Sequence, residues 1–116
     1  MEQLVRPAIR AILEAIAGIE NATRDKSLDD FGGDWLLRHG VQRGIEIVSE
    51  AARRIPRELQ AQQPQIPWPQ IMGIGNVLRH EYHRVSDPLI WNVVQVYLRP
   101  LNAAVLAIEA ELKEES

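Results

Sequence analysis

Apolar residues recur at steps of three and four along nearly the whole chain, and no stretch shows the sustained alternation of a half-buried strand. Steps of three and four bring side chains to one face of an α-helix, so this period commits the chain to helices. Val5, Ile9, Ile12, Leu13, Ile16 and Ile19 make the first stripe, which ends near Thr23. Ser27 and Asp30 have the spacing of a capping box, and "FGGDW" is a break before Asp34 starts the next long helix. Leu37, Val41, Ile45, Val48, Ala52 and Ile55 form its stripe, and Pro56 permits a kink or a short continuation through "RELQAQQ". "PQIPWPQ" is the one proline-rich connector, and Pro69 fits the first turn of a third long helix. That helix has its own stripe in Ile71, Ile74, Leu78, Tyr82 and Val85. "SDPLIW" reads as a cap followed by Pro88 at the first helical position. The last helix runs through Trp91, Val94, Leu98, Leu101, Val105, Ile108 and Leu112, with a kink expected at Pro100. Four long helices and a short fifth predict an all-α antiparallel bundle, one domain over residues 1–116.

What such a bundle does is bounded by what the chain lacks. It has no cysteine, which excludes disulfides and thiolate metal sites. Charges at Glu2, Arg6, Arg10 and Glu14 break up the amino-terminal segment, so it has no secretory apolar core. No uninterrupted apolar run approaches the roughly 18 residues that span a bilayer. The cytoplasm is the expected location, with no membrane partner. There is no glycine-rich phosphate loop followed by Lys-Ser/Thr, and "GIG" lies inside a helix.

Charge is unevenly spread. The net charge is −3, yet residues 38 to 84 hold seven arginines against four acids. All three histidines, His39, His80 and His83, lie in that basic middle. Most of the chain's bases are arginine, whose planar fork suits phosphate and carboxylate. "GNVLRHEYHRV", residues 75 to 85, concentrates these groups in one place. With 100° per residue from Ile71, His80 falls about 180° away from the start of the apolar stripe. Asn76 and His83 flank His80 on one side and Arg84 lies on the other, while Arg79 sits nearer the stripe, at about 80°. Asn76, His80 and His83 therefore share a face turned away from the core.

An imidazole exchanges protons near neutral pH, and an arginine holds phosphate without losing its proton. Together they suit RNA cleavage, in which a base takes the 2′-hydroxyl proton and a cation holds the charged phosphorus centre. That chemistry needs an acid as well as a base, and a symmetric dimer would supply a second His80 across a two-fold axis. From the residues alone a solvated helix face is the plainer reading. His80 and His83 at i and i+3 lack a third ligand beyond Glu81, which points elsewhere, so no metal and no cofactor are expected. Arg43 and Glu50, seven apart on one face, read as a structural ion pair or cap.

The order "GIEIVSEAARRI", "PQIPWPQIMGIGNVLRHEY", "DPLIWNVV" resembles the HEPN-domain ribonuclease toxins of the HepT type, from about Leu4 to Leu112. Glu50 with Ala51 in "SEAA", "IPW", Asn76 and "HEY" at residues 80 to 82 carry the resemblance. It implies a helical bundle that dimerises and cleaves RNA without metal at the subunit interface. It also implies a minimal nucleotidyltransferase partner, an antitoxin that blocks the site by transferring AMP to a tyrosine. The family motif is R-x-x-x-x-H-x-Y. His80 and Tyr82 match it, but the arginine position is Gly75. Losing that cation costs on the order of 3 kcal/mol of transition-state stabilisation. Arg79 and Arg84 lie nearby without occupying the motif position. Glycine inside a helix costs roughly 1 kcal/mol against alanine, so Gly75 is expected where another helix approaches closely.

The reading is a toxin component of a toxin–antitoxin pair. His80 is its acid or base, Arg79 its phosphate anchor, Asn76 a positioning residue and Tyr82 the AMP acceptor. Arg84 and His83 are further phosphate contacts, and RNA, with tRNA as one candidate, is the substrate. Tyr82 also has a plain reading as a core tyrosine, because it falls on the apolar stripe. The rival function is an inactive binding module that dimerises and docks onto a nucleotidyltransferase.

Overall fold

The computed structural model describes the backbone of residues 2–81 and 86–115, with side chains for residues 5–80 and 86–112. Among the described residues every regular element is helical. The helices are α1 (Glu2–Thr23), α2 (Leu28–Gly32), α3 (Trp35–Ala52), α4 (Arg57–Gln60), α5 (Trp68–Glu81), α6 (Asp87–Asn92) and α7 (Leu98–Glu115). A π-helical stretch, Val93–Tyr97, joins α6 to α7 without a break. The expected four long rods are present, accompanied by two short helices, α2 and α4, where one was expected.

Local chemistry sets each boundary. Thr23 Oγ1 donates to the Ile19 carbonyl at 2.8 Å as α1 ends. The capping box is reciprocal: Asp30 N–H donates to Ser27 Oγ at 3.1 Å, and Ser27 N–H donates to Asp30 Oδ2 at 2.9 Å. The Ser27 backbone N–H foremost, and the Ser27 hydroxyl after it, hold the Asp30 carboxyl below its ordinary value. Asp34 caps α3 by accepting from Leu37 N–H at 3.0 Å. Past Pro56 the chain breaks and restarts as α4, and the buried Gln60 donates back to the Ala52 and Ile55 carbonyls at 3.2 and 3.1 Å. Trp68 Nε1 donates to the Gln60 and Gln63 carbonyls, which pins the proline-rich connector at the foot of α5. Ser86 caps α6, with Asp87 at the first helical position and Pro88 at the second, one later than expected. Pro100 has no N–H for the Val96 carbonyl and crowds it, and the backbone answers by widening into the π turn that contains Val96.

The long helices are antiparallel neighbours. Glu109 with Arg10 and Glu20 with Arg99 tie α1 to α7 in opposite senses, at 3.0 and 4.0 Å. A Cβ on Gly44 would meet Ile19 at 2.7 Å, which marks the close approach of α1 and α3. Along this order α5 packs on α3, α3 on α1 and α1 on α7. The core is made from the expected stripes, with Ile9, Ile12, Ile16, Val41, Ile45, Leu101, Val105 and Ile108 fully enclosed. Phe31 from α2 is also sealed inside, with its ring 5.3 Å from that of Trp91.

By length and composition the stretch Asp87–Leu112 is apolar enough to cross a membrane, although it contains no unbroken apolar run of spanning length. Its periodic residues Ile90, Val94, Leu98, Leu101, Val105, Ile108 and Leu112 are buried against the other helices. On α5 the buried residues are Trp68, Ile71, Gly75 and Leu78, while Ile74 is only half-buried. The glycine rotates the contact edge toward itself because it alone lets the two backbones come close.

Candidate functional site

The site begins with how α3 grips α5. Ser49 is 2% exposed on α3, and its hydroxyl is inserted beside the backbone of α5. Its Oγ donates to the Met72 carbonyl at 2.8 Å and accepts from Gly75 N–H at 3.1 Å. Arg53 Nε donates to the same Met72 carbonyl at 3.1 Å. A Cβ on Gly75 would stand 2.6 Å from Ser49 Oγ and 2.8 Å from Ser49 Cβ, so position 75 has no room for a side chain. The close approach expected at Gly75 is therefore present, and it explains a glycine where the motif has arginine. Ser49 was not singled out by sequence. The available signal is a small hydroxyl in an apolar helix facing a glycine in its neighbour.

One turn beyond this contact, α5 presents its polar side. Asn76, Arg79 and His80 are all exposed. Arg79 Nη1 meets Glu50 Oε2 at 3.2 Å, with the two side chains 41% and 52% exposed. In that setting the pair adds little stability, but it fixes where the guanidinium waits. The expected Arg43–Glu50 pair is not formed: Arg43 meets Glu46 at 3.6 Å and Glu50 turns to Arg79. Seven residues along a helix are about 10.5 Å of rise, whereas three residues and the neighbouring helix both lie closer. Asn76 and His80 have no side-chain partner among the described residues. Tyr82, His83 and Arg84 lie outside the described residues.

His39 belongs to a different arrangement. Its ring stacks on Trp35 at 4.1 Å, and its Nδ1 lies 2.7 Å from the Trp35 carbonyl oxygen. Trp35 and Leu36 are 65% and 74% exposed beside an apolar recess of about 520 Å³ between α1 and α3. Neither Asn76 nor His80 lines this recess. Among the described residues no three His, Asp or Glu side chains gather as a metal would require. The chemistry on offer is an exposed imidazole, next in sequence to a tethered guanidinium, on an open face.

Comparison with known proteins follows the same residues. The family described as "Ribonuclease HepT-like" matches residues 12–108. A Methanocaldococcus jannaschii protein named "Gamma-glutamylcyclotransferase and putative RNase" is 35% identical over 97% of this chain, which spans half of that protein's length. A Thermococcus cleftensis protein named "Probable ribonuclease HepT" is 32% identical over 82% of this chain and 86% of its own. A second Methanocaldococcus jannaschii protein, named "Putative RNase", is 30% identical over 78% of this chain and 84% of its own. No solved structure matches the chain significantly.

Proposed function

The chain belongs to the HepT-like ribonuclease family, and from that premise we propose that it is a metal-independent endoribonuclease whose reactive face is the outer side of α5. The observation that carries this reading is an exposed His80, with no side-chain partner among the described residues, directly after an arginine held by Glu50. His80 takes the proton of a ribose 2′-hydroxyl, and the 2′-oxygen attacks the adjacent phosphorus. The bond from phosphorus to the 5′-oxygen breaks, and that oxygen leaves with a proton from an acid, giving a cyclic phosphate and a 5′-hydroxyl. Arg79 neutralises the charge that builds on the phosphorus oxygens. Gly75 and Arg79 are four residues apart, hence on one flank of α5, and this supports Arg79 as the cation in place of the motif arginine. Asn76, on the His80 face, positions the substrate.

The second catalytic proton carrier comes from another copy of the chain in a homodimer. The chain acts as the toxin of a pair with a minimal nucleotidyltransferase in the cytoplasm. Transfer of AMP to Tyr82 silences it, and Arg84 with His83 adds phosphate contacts. RNA, including tRNA, is the substrate class.

The test is cleavage of single-stranded RNA by purified protein in chelator. Wild type is expected to cut and His80→Ala to lose roughly 10²–10⁴-fold of the rate. A wild type no faster than His80→Ala overturns the nuclease reading. The rival, an inactive module that docks onto the nucleotidyltransferase, is favoured by the sealed position at Gly75. Binding of that partner without any cleavage would decide for it.

A further inference from the structure

A second group of arginines lies beside the reactive face. A recess of about 310 Å³ runs along α3 where α1 and α5 flank it, lined by Arg43, Glu46, Ile47, Glu50, Arg54 and Arg79. Arg43 lies within α3, nine residues before its end at Ala52, and Arg54 lies in the turn that follows, yet both line this one recess. The stretch of α3 from Arg43 to its end spans about 13.5 Å of helical rise. Arg79 enters from α5 and meets Glu50 between them. Three arginines against two glutamates leave the recess net positive. Arg43 and Arg79 are each engaged by one carboxylate, whereas Arg54 is exposed and has no carboxylate partner among the described residues. Arg53 next to it bonds only a neutral carbonyl, which leaves its charge uncompensated as well.

We infer that this recess is a phosphate-binding track for single-stranded RNA, in which Arg54 and Arg43 hold the backbone on the side of Arg79 away from the cleaved bond. The inference rests on the proposed function for its substrate class. Guanidinium forks suit phosphate oxygens, and the span from Arg43 to the end of α3 is enough to follow a strand past more than one phosphate. The size of the recess lies at the lower end for ligand sites, which suits a narrow strand better than a duplex. Glu46 and Glu50 hold two of the arginines extended while the track is empty. An arriving phosphate displaces Glu50 from Arg79, so Glu50 opposes binding.

The experiment measures binding of a fluorescein-labelled oligouridylate to the full chain by anisotropy over a salt series. All proteins carry His80→Ala, so the probe stays intact. Arg54→Gln is expected to weaken binding severalfold and to lower the slope of log affinity against log salt by about 0.7. Arg43→Gln is expected to do the same, and Glu50→Gln to tighten binding. Unchanged affinity and slope in both arginine variants, with native helicity and unfolding temperature, overturns the track. So does displacement of the probe by polyglutamate at equal charge, which would mark a surface for acidic proteins. If RNA binds with these responses while the chain with His80 intact cuts nothing, the track stands and the nuclease reading falls.

Discussion

At Gly75 a single missing side chain decides how two helices meet. Gly75→Ala places a Cβ 2.6 Å from Ser49 Oγ, and Ser49 is walled in by the core. Overpacking of this kind costs about 1–3 kcal/mol, which urea denaturation reads directly. Gly75→Arg, which would restore the motif, is expected to destabilise the protein further and to leave RNA cleavage no higher. Ser49→Ala removes the hydroxyl donor to Met72 and the acceptor for Gly75 N–H, at a cost of about 1 kcal/mol for each bond lost, since the Met72 carbonyl keeps Arg53. Arg79→Gln is expected to lower the cleavage rate by roughly 10²-fold with little loss of stability, since its ion pair is exposed. Sequence placed Asn76 and His80 on the open face of α5, where both are exposed, and Arg79 nearer the apolar stripe, because position on a helix follows from residue number alone. It paired Arg43 with Glu50 wrongly because it had no neighbouring helix in view.

At the scale of elements, caps and prolines punctuate the chain. The capping box of α2 adds a pH dependence. Asp30 has a lowered carboxyl pKa in the folded protein, caused first by the Ser27 backbone N–H and then by the Ser27 hydroxyl. A lowered pKa means that its contribution is present above the unfolded value, near 3.8, and is lost as pH falls through the folded value. Asp30→Asn is therefore expected to unfold more easily than wild type near neutrality, and the difference should vanish in thermal melts at strongly acidic pH. The Ser27, Asp34 and Ser86 caps were legible because their chemistry is local. The π turn was not. Pro100 announced a disturbance, but whether the helix kinks or widens depends on packing that keeps Val94, Leu98 and Leu101 buried on one side.

The molecule is elongated, 46 × 28 × 23 Å, with a radius of gyration of 14.3 Å against about 13 Å for a compact chain of this length. An elongated bundle presents long open sides, and here one carries α5's polar residues while another carries Trp35 and Leu36. Light scattering is expected to give about twice the 13.2 kDa of one chain. A monomer that still cleaves RNA would place the whole reactive centre within one copy.

Helical period, caps and connectors are written in neighbouring residues, so the chain by itself determined its all-helical class, the faces that became core and the outward turn of His80. The depth of contact between α3 and α5, the partner chosen by Glu50 and the alignment of Arg43, Arg54 and Arg79 around one recess were decided only when distant segments packed. Those features depend on distances between helices, and periodicity within one helix carries no information about how closely another approaches it.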